Sequence, residues 1–178
     1  GFVNSQMIKN IGCNYVIIGH SERRQYCNET DELVNKKVRI ALKNELKPIV
    51  CVGETLEQRE QGNFVEVIEK QLSVGLEDLT QVLASELVIA YEPVWAIGTG
   101  KVATVTQIEE VHEKIRALLA KNFSEDVANS VRILYGGSVK AENSKEILSL
   151  PNVDGALVGG ASLNSAGFIE IIKSLPSR

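Results

Sequence analysis

A chain of 178 residues with 44% hydrophobic side chains can bury one sizeable core, which excludes a disordered polypeptide and fits a single globular domain. Its net charge of −4, from 19 basic and 23 acidic residues mixed along the chain, offers no basic block for nucleic acid or an anionic membrane surface. The apolar runs Tyr15–Ile18 and Pro48–Val52 are too short to span a bilayer and no charged-then-apolar leader opens the chain, so a cytoplasmic location is expected.

The chain starts at Gly1 without an initiator Met and is read as processed, cut or incomplete. The first candidate strand, Tyr15–Ile18, runs into Gly19-His20-Ser21-Glu22-Arg23-Arg24, where Ser21 is expected to cap a short helical turn. Val34, Val38, Ala41 and Leu42 then form one face of a helix. The second strand, Ile49–Val52, leads to Gly53-Glu54, and the charges of Glu57-Gln58-Arg59-Glu60 read as a solvated helix face. Phe64, Ile68, Leu72 and Leu76 mark a second helix, and Val88–Tyr91 a third strand. A third helix carries Ile108, Val111, Ile115, Leu118 and Leu119, with Thr104 and Gln107 forming a capping box at its start. His112 lies within it beside acidic residues and reads as a surface side chain. Strands at Arg132–Tyr135 and Gly155–Val158 follow, the second leading into Ala161-Ser162-Leu163 as a short helix. The last helix begins after Ser165, presents Phe168, Ile171, Ile172 and Leu175, and stops at Pro176.

Strand starts recur roughly every 20 to 45 residues, the size of a βα unit, and each strand is apolar enough to expect burial on both faces. Periodicity alone leaves an open doubly wound sheet in play. The loops favour another arrangement, because Gly19-His20-Ser21-Glu22, Gly53-Glu54, Glu92-Pro93, Gly136-Gly137-Ser138 and Gly159-Gly160 all sit just after strands. Several strands feeding one polar face at their carboxyl ends is how a (β/α)8 barrel builds its site. No linker interrupts the series, so residues 1–178 are expected to form one domain.

Gly-Gly pairs after two consecutive strands let backbone N–H groups approach an anion, and a phosphate is the natural occupant. Glu92 stands at a strand end, aimed by Pro93, and the segment Pro93-Val94-Trp95-Ala96-Ile97-Gly98-Thr99-Gly100-Lys101 combines large apolar side chains with two glycines, as a water-excluding lid would. His20 faces a helix start, where the positive end of the backbone dipole disfavours imidazolium and leaves a neutral ring able to donate to a carbonyl oxygen. Taken singly, each of these has a plainer reading: a tight turn, a solvated acid, a structural histidine. The three cysteines, Cys13, Cys27 and Cys51, lack metal-ligand spacing and read as reduced thiols, Cys51 as small core packing and the other two as incidental.

The stretches Tyr15–Arg24, Ala90–Lys101, Tyr135–Val139 and Val153–Leu163 together resemble the signature segments of the triosephosphate isomerase family, in the same order and spacing across essentially the whole chain. The resemblance implies a TIM barrel, interconversion of dihydroxyacetone phosphate and D-glyceraldehyde 3-phosphate in glycolysis and gluconeogenesis, and no metal or organic cofactor. It implies that Glu92 is the base, neutral His20 the electrophile, and Glu22 with Ser21 their supporting neighbours. Gly98, Ser138, Gly159 and Gly160 would hold the phosphate through backbone N–H groups, with Ile97 closing over it. It also implies a homodimer for the full-length protein, a small phosphorylated triose as substrate, and no nucleic-acid or membrane partner.

The departure is at the front, where Gly1–Ser5 corresponds to the end of the third strand's loop and Phe2 replaces an acid usual in the family. Against a full barrel of roughly 250 residues, about 70 are expected to be missing, three βα units and an Asn-x-Lys segment with its catalytic lysine among them. About five of eight units then remain, an incomplete barrel with two unpaired strand edges, and these residues alone are expected to be inactive or poorly folded. Two other readings are a non-catalytic phosphate-binding remnant of the same fold and a different phosphate-binding barrel enzyme.

Overall fold

In the computed structural model, which describes residues 3–97, 99 and 101–176, five parallel strands form one sheet in the order β1-β2-β3-β4-β5. The elements run α1 (Ser5–Asn10), β1 (Tyr15–Ile18), α2 (Ser21–Cys27), α3 (Asp31–Lys43), β2 (Lys47–Val52), α4 (Leu56–Glu60), α5 (Phe64–Gly75), α6 (Gln81–Ala84) and β3 (Val88–Tyr91). They continue with α7 (Val105–Asn122), α8 (Glu125–Ser130), β4 (Arg132–Tyr135), α9 (Ala141–Leu148), β5 (Gly155–Ala156) and α10 (Ser165–Lys173). Every strand pairs with the next one in sequence, and helices stand between them. A doubly wound sheet reverses its strand order at a switch point, and this one does not, so the winding is that of an incomplete (β/α) barrel. Phe2 lies outside the described residues.

Side chains alternate between two faces of the sheet. Val50, Val52, Ile89, Tyr91, Ile133 and Tyr135 point under the helices and join the buried stripes of α3, α5 and α7 in one core. The opposite face carries Cys51 and Ala90 at the centre, but Tyr15 and Ile17 on β1 are each 45% exposed. The expectation of burial on both faces therefore holds for β3 and fails for β1, which among the described residues has a pairing partner on one side only. β5 ends at Ala156, short of Val158, for the same reason: among the described residues its one neighbour is β4, and the last ladder bond runs from Leu157 N–H to Tyr135 O. β2 starts earlier than expected, at Lys47, because that residue pairs with Tyr15.

Packing corrects two surface assignments, although Glu57 and Glu60 are exposed as expected. Arg59 lies only 13% exposed, its guanidinium 4.1 Å from the Phe64 ring centroid and bonded to Glu110 at 2.9 Å, so it is not part of a solvated face. His112 is fully buried, edge-on to Tyr91 with ring centroids 5.8 Å apart. Its position follows the Ile108 and Ile115 spacing, so it belongs to the apolar stripe of α7. On α10 the stripe is mostly uncovered among the described residues: Ile171 is buried, while Ile172 and Leu175 are exposed.

His112 Nδ1–H donates to the Asn152 carbonyl oxygen at 3.1 Å, and burial pushes its pKa down to about 4 from an ordinary 6.5. Between those values the unfolded chain holds a proton at this position that the folded chain does not, so stability present above pH 6.5 is lost as the pH falls through about 4. Equilibrium unfolding measured against pH should lose about 3 kcal/mol to this group across the window, and His112→Gln should flatten the slope. Equal slopes in the two chains would contradict the assignment.

Candidate active site

The strand register brings the loops together. Val52 pairs with Tyr91 and Tyr91 with Tyr135, so Gly53, Glu92 and Gly136 stand side by side one residue beyond the sheet. A Cβ on Gly53 would lie 1.7 Å from the Glu92 carbonyl oxygen, and one on Gly136 3.0 Å from Glu92 Cγ. Only glycine permits so close an approach of the backbones. Glu92 N–H donates to Val52 O at 2.8 Å, and Gly136 N–H to Tyr91 O at 2.7 Å, which fixes the main chain from which the carboxylate projects.

After β1 the chain turns at Gly19, whose φ of +73° breaks the strand alternation and delivers His20 to the same place. His20, not Ser21, is the cap of α2: its Nδ1 accepts the Glu22 N–H at 3.2 Å. Ser21 is the first helical residue, and its N–H, which a helix start leaves without a backbone partner, donates to Glu92 Oε2 at 2.9 Å. With Nδ1 accepting, the imidazole is neutral and carries its proton on Nε2, which stands 2.9 Å from Glu92 Oε1 without being aligned for a hydrogen bond. Glu22 thus acts on the ring through its main chain, and its side chain lines the cavity.

Glu92 is 2% exposed. Burial raises its pKa, partly opposed by the hydrogen bond from Ser21 N–H. A carboxylate raised from its ordinary range is better matched to accepting a proton near neutral pH. The Cys51 thiol lies against it, and burial pushes that thiol's pKa far up, so Cys51 packs and does not attack. Cys13 is half-buried and Cys27 exposed.

Both groups line a cavity of about 490 Å³ whose far wall includes Ser138, Gly159 and Gly160. Among the described residues the N–H groups of Ser138 and Gly159 donate no hydrogen bond, and a Cβ on Gly159 or Gly160 would meet nothing within 4 Å. Free amides beside open space are what an anion requires. Gly160–Leu163 forms the expected short helix, a 3-10 turn. A second hollow of equal volume, between α3 and α6, is lined by Lys36, Arg39, Asp78 and Leu83, and its acid is paired with Arg39 at 3.6 Å.

Of the lid segment, Val94–Ala96 forms a 3-10 turn after Pro93 and Ile97 reaches the cavity, whereas Gly98 and Gly100 lie outside the described residues. Thr99 Oγ1 donates to Trp95 O at 2.7 Å and accepts from Lys101 N–H at 3.2 Å. The segment is anchored by Glu54, which sequence reasoning did not single out. This fully buried acid accepts from Trp95 Nε1 at 2.8 Å and Tyr91 Oη at 3.1 Å, and its main-chain oxygen accepts from Val94 N–H at 3.1 Å. Arg59 Nη1 is 3.7 Å away. The sequence signal was its place, directly after a strand and its glycine.

Among the described residues no helix is long and apolar enough to cross a membrane. The sequence profile of a family described as Triosephosphate isomerase matches residues 1–175. A protein named triosephosphate isomerase from Chloroherpeton thalassium is 60% identical over 174 residues, which cover 98% of this chain and 69% of that protein. One of the same name from Rhodopirellula baltica is 58% identical, with 99% and 70% covered, and one from Fusobacterium nucleatum 53% identical, with 98% and 69% covered.

Proposed function

This chain belongs to the triosephosphate isomerase family, and on that premise we propose that Glu92 and His20 interconvert dihydroxyacetone phosphate and D-glyceraldehyde 3-phosphate through an enediolate. Glu92 removes a proton from the hydroxyl-bearing carbon beside the substrate carbonyl and returns it to the former carbonyl carbon. His20 donates its Nε2–H to the carbonyl oxygen as charge develops there, then relays protons between the two oxygens. The amides of Gly98, Ser138, Gly159 and Gly160 bind the phosphate, and Pro93–Lys101 closes over it, Ile97 foremost, to keep water from the enediolate. No cofactor takes part in these steps.

The observation that carries this reading is the meeting of a buried, raised carboxylate and a neutral Nε2–H imidazole, 2.9 Å apart, on one wall of the cavity. The test is to supply D-glyceraldehyde 3-phosphate to the chain completed to the length of its relatives and to measure ketose formation. Failure of a folded, completed chain to form it would refute the proposal.

The 178 residues by themselves we take to be one partial barrel domain without useful activity. The exposed inner face at Tyr15 and Ile17 and the singly paired β1 and β5 support this, since open strand edges favour association over a closed site. Turnover by the isolated chain near that of the completed one would overturn it. A homodimer, a cytoplasmic location and a place in glycolysis and gluconeogenesis are the corresponding expectations for the completed protein.

A further inference from the structure

Arg24 bridges the carboxyl ends of β1, which leads to His20, and β2, whose Gly53 packs on Glu92, and it takes no part in the chemistry above. From α2 its guanidinium folds back: Nε donates to the Gly19 carbonyl at 2.8 Å, Nη2 to the Cys51 carbonyl at 3.3 Å, and Nη1 to Asp31 Oδ1 at 2.6 Å. Gly19 is the residue that turns His20 into the cavity. Cys51 lies two residues before the glycine that packs on the Glu92 carbonyl, and its thiol touches the Glu92 side chain. One planar group therefore joins the carboxyl ends of β1 and β2, while Asp31 at the start of α3 fixes it from behind. The fit is close, since a Cβ on Gly19 would already lie 3.2 Å from Arg24 Nη2 and 3.4 Å from the Cys51 oxygen.

We propose that Arg24 is a positioning residue for the isomerisation: by tying the Gly19 and Cys51 carbonyls together it sets where the His20 ring stands relative to Glu92. The guanidinium suits this role because its donors leave in fixed, divergent directions in one plane, and a lysine ammonium cannot reproduce that fork. The proposal rests on the roles given above to His20 and Glu92. It concerns their spacing, not substrate affinity, because among the described residues the hydrogen bonds of Arg24 go to Gly19, Cys51 and Asp31 and to none of the amides assigned to the phosphate.

The experiment compares Arg24→Lys and Arg24→Ala with the parent in the completed chain. A misplacement of about 1 Å between reacting groups lowers turnover by about 100-fold. The expected result is a kcat fall between about 10- and 100-fold, with KM changed less than about threefold, and partial rescue of Arg24→Ala by added guanidinium. Nitrogen NMR of His20 gives a readout independent of turnover: the parent should show a single tautomer protonated on Nε2, and the variants a mixture. A variant that loses thermal stability while kcat and the His20 tautomer stay those of the parent would overturn the proposal. A completed chain without isomerase activity would instead overturn the functional reading, and the NMR comparison would still decide the role of Arg24.

Discussion

Replacing Glu92 with glutamine in the completed chain should lower kcat by about three orders of magnitude and leave KM within a few-fold. The amide keeps the length of the side chain and can still accept from Ser21 N–H, so the geometry at 2.9 Å survives. What it cannot do is accept the substrate proton. Ser138, Gly159 and Gly160, three of the residues whose amides are assigned to the phosphate, lie across the cavity on the loops after β4 and β5, so binding should be spared. Stability should move the other way. Burial raises the folded-state pKa of Glu92, so its contribution is full below the unfolded value and is lost as the pH rises through the folded one. At neutral pH the ionised carboxylate therefore opposes folding, and a neutral isostere removes that penalty. The variant should melt no lower than the parent. A large loss of stability together with a small loss of turnover would reverse the assignment, making Glu92 a structural acid.

Gly53→Ala should be the most damaging single substitution away from the reacting groups. The new methyl would sit 1.7 Å from the Glu92 carbonyl oxygen and 2.6 Å from its carbonyl carbon. These atoms are backbone, so no side-chain rotation relieves the contact. Either β2 and β3 separate at their carboxyl ends, with loss of the Glu92 N–H to Val52 O bond, or Glu92 moves. The first outcome costs on the order of 4 kcal/mol, enough to leave little soluble protein, and the second costs about 100-fold in turnover. Gly159→Ala is the comparison: a Cβ there meets nothing within 4 Å, so the fold should persist. A soluble, fully active Gly53→Ala chain would contradict the packing described.

Much of the framework was legible because buried parallel strands are written as short continuous apolar runs. Tyr15–Ile18, Val88–Tyr91 and Arg132–Tyr135 have the expected bounds. The errors at the ends of β2 and β5 are errors of pairing, which depends on the neighbouring strand and not on the run itself. Glu92 and His20 were legible as acid and base at strand ends. Their direct approach was not, because it depends on the positive φ at Gly19 and on the register of three strands. Residue preference points to Ser21 as the cap, whereas His20 supplies the acceptor and leaves the Ser21 amide for Glu92.

Charged residues were the hardest to read. Glu54, Arg24 and Arg59 look like ordinary surface charges in a linear sequence, since nothing local shows that each has a partner 27 to 51 residues away. Glu29 is also almost fully buried, bonded by Arg23 at 2.5 Å and by Lys37, both near it in sequence. His112 is a different failure. The helical period places position 112 on the stripe with Ile108 and Ile115, but the neighbouring acids outweighed that signal.

The most direct test of the central claim is to incubate dihydroxyacetone phosphate in heavy water with the completed chain and follow deuterium entry at the hydroxyl-bearing carbon by proton NMR. The account predicts uptake at a rate comparable to isomerisation, reduced by about three orders of magnitude in Glu92→Gln while inorganic phosphate still binds. Deuterium uptake undiminished in Glu92→Gln would contradict it.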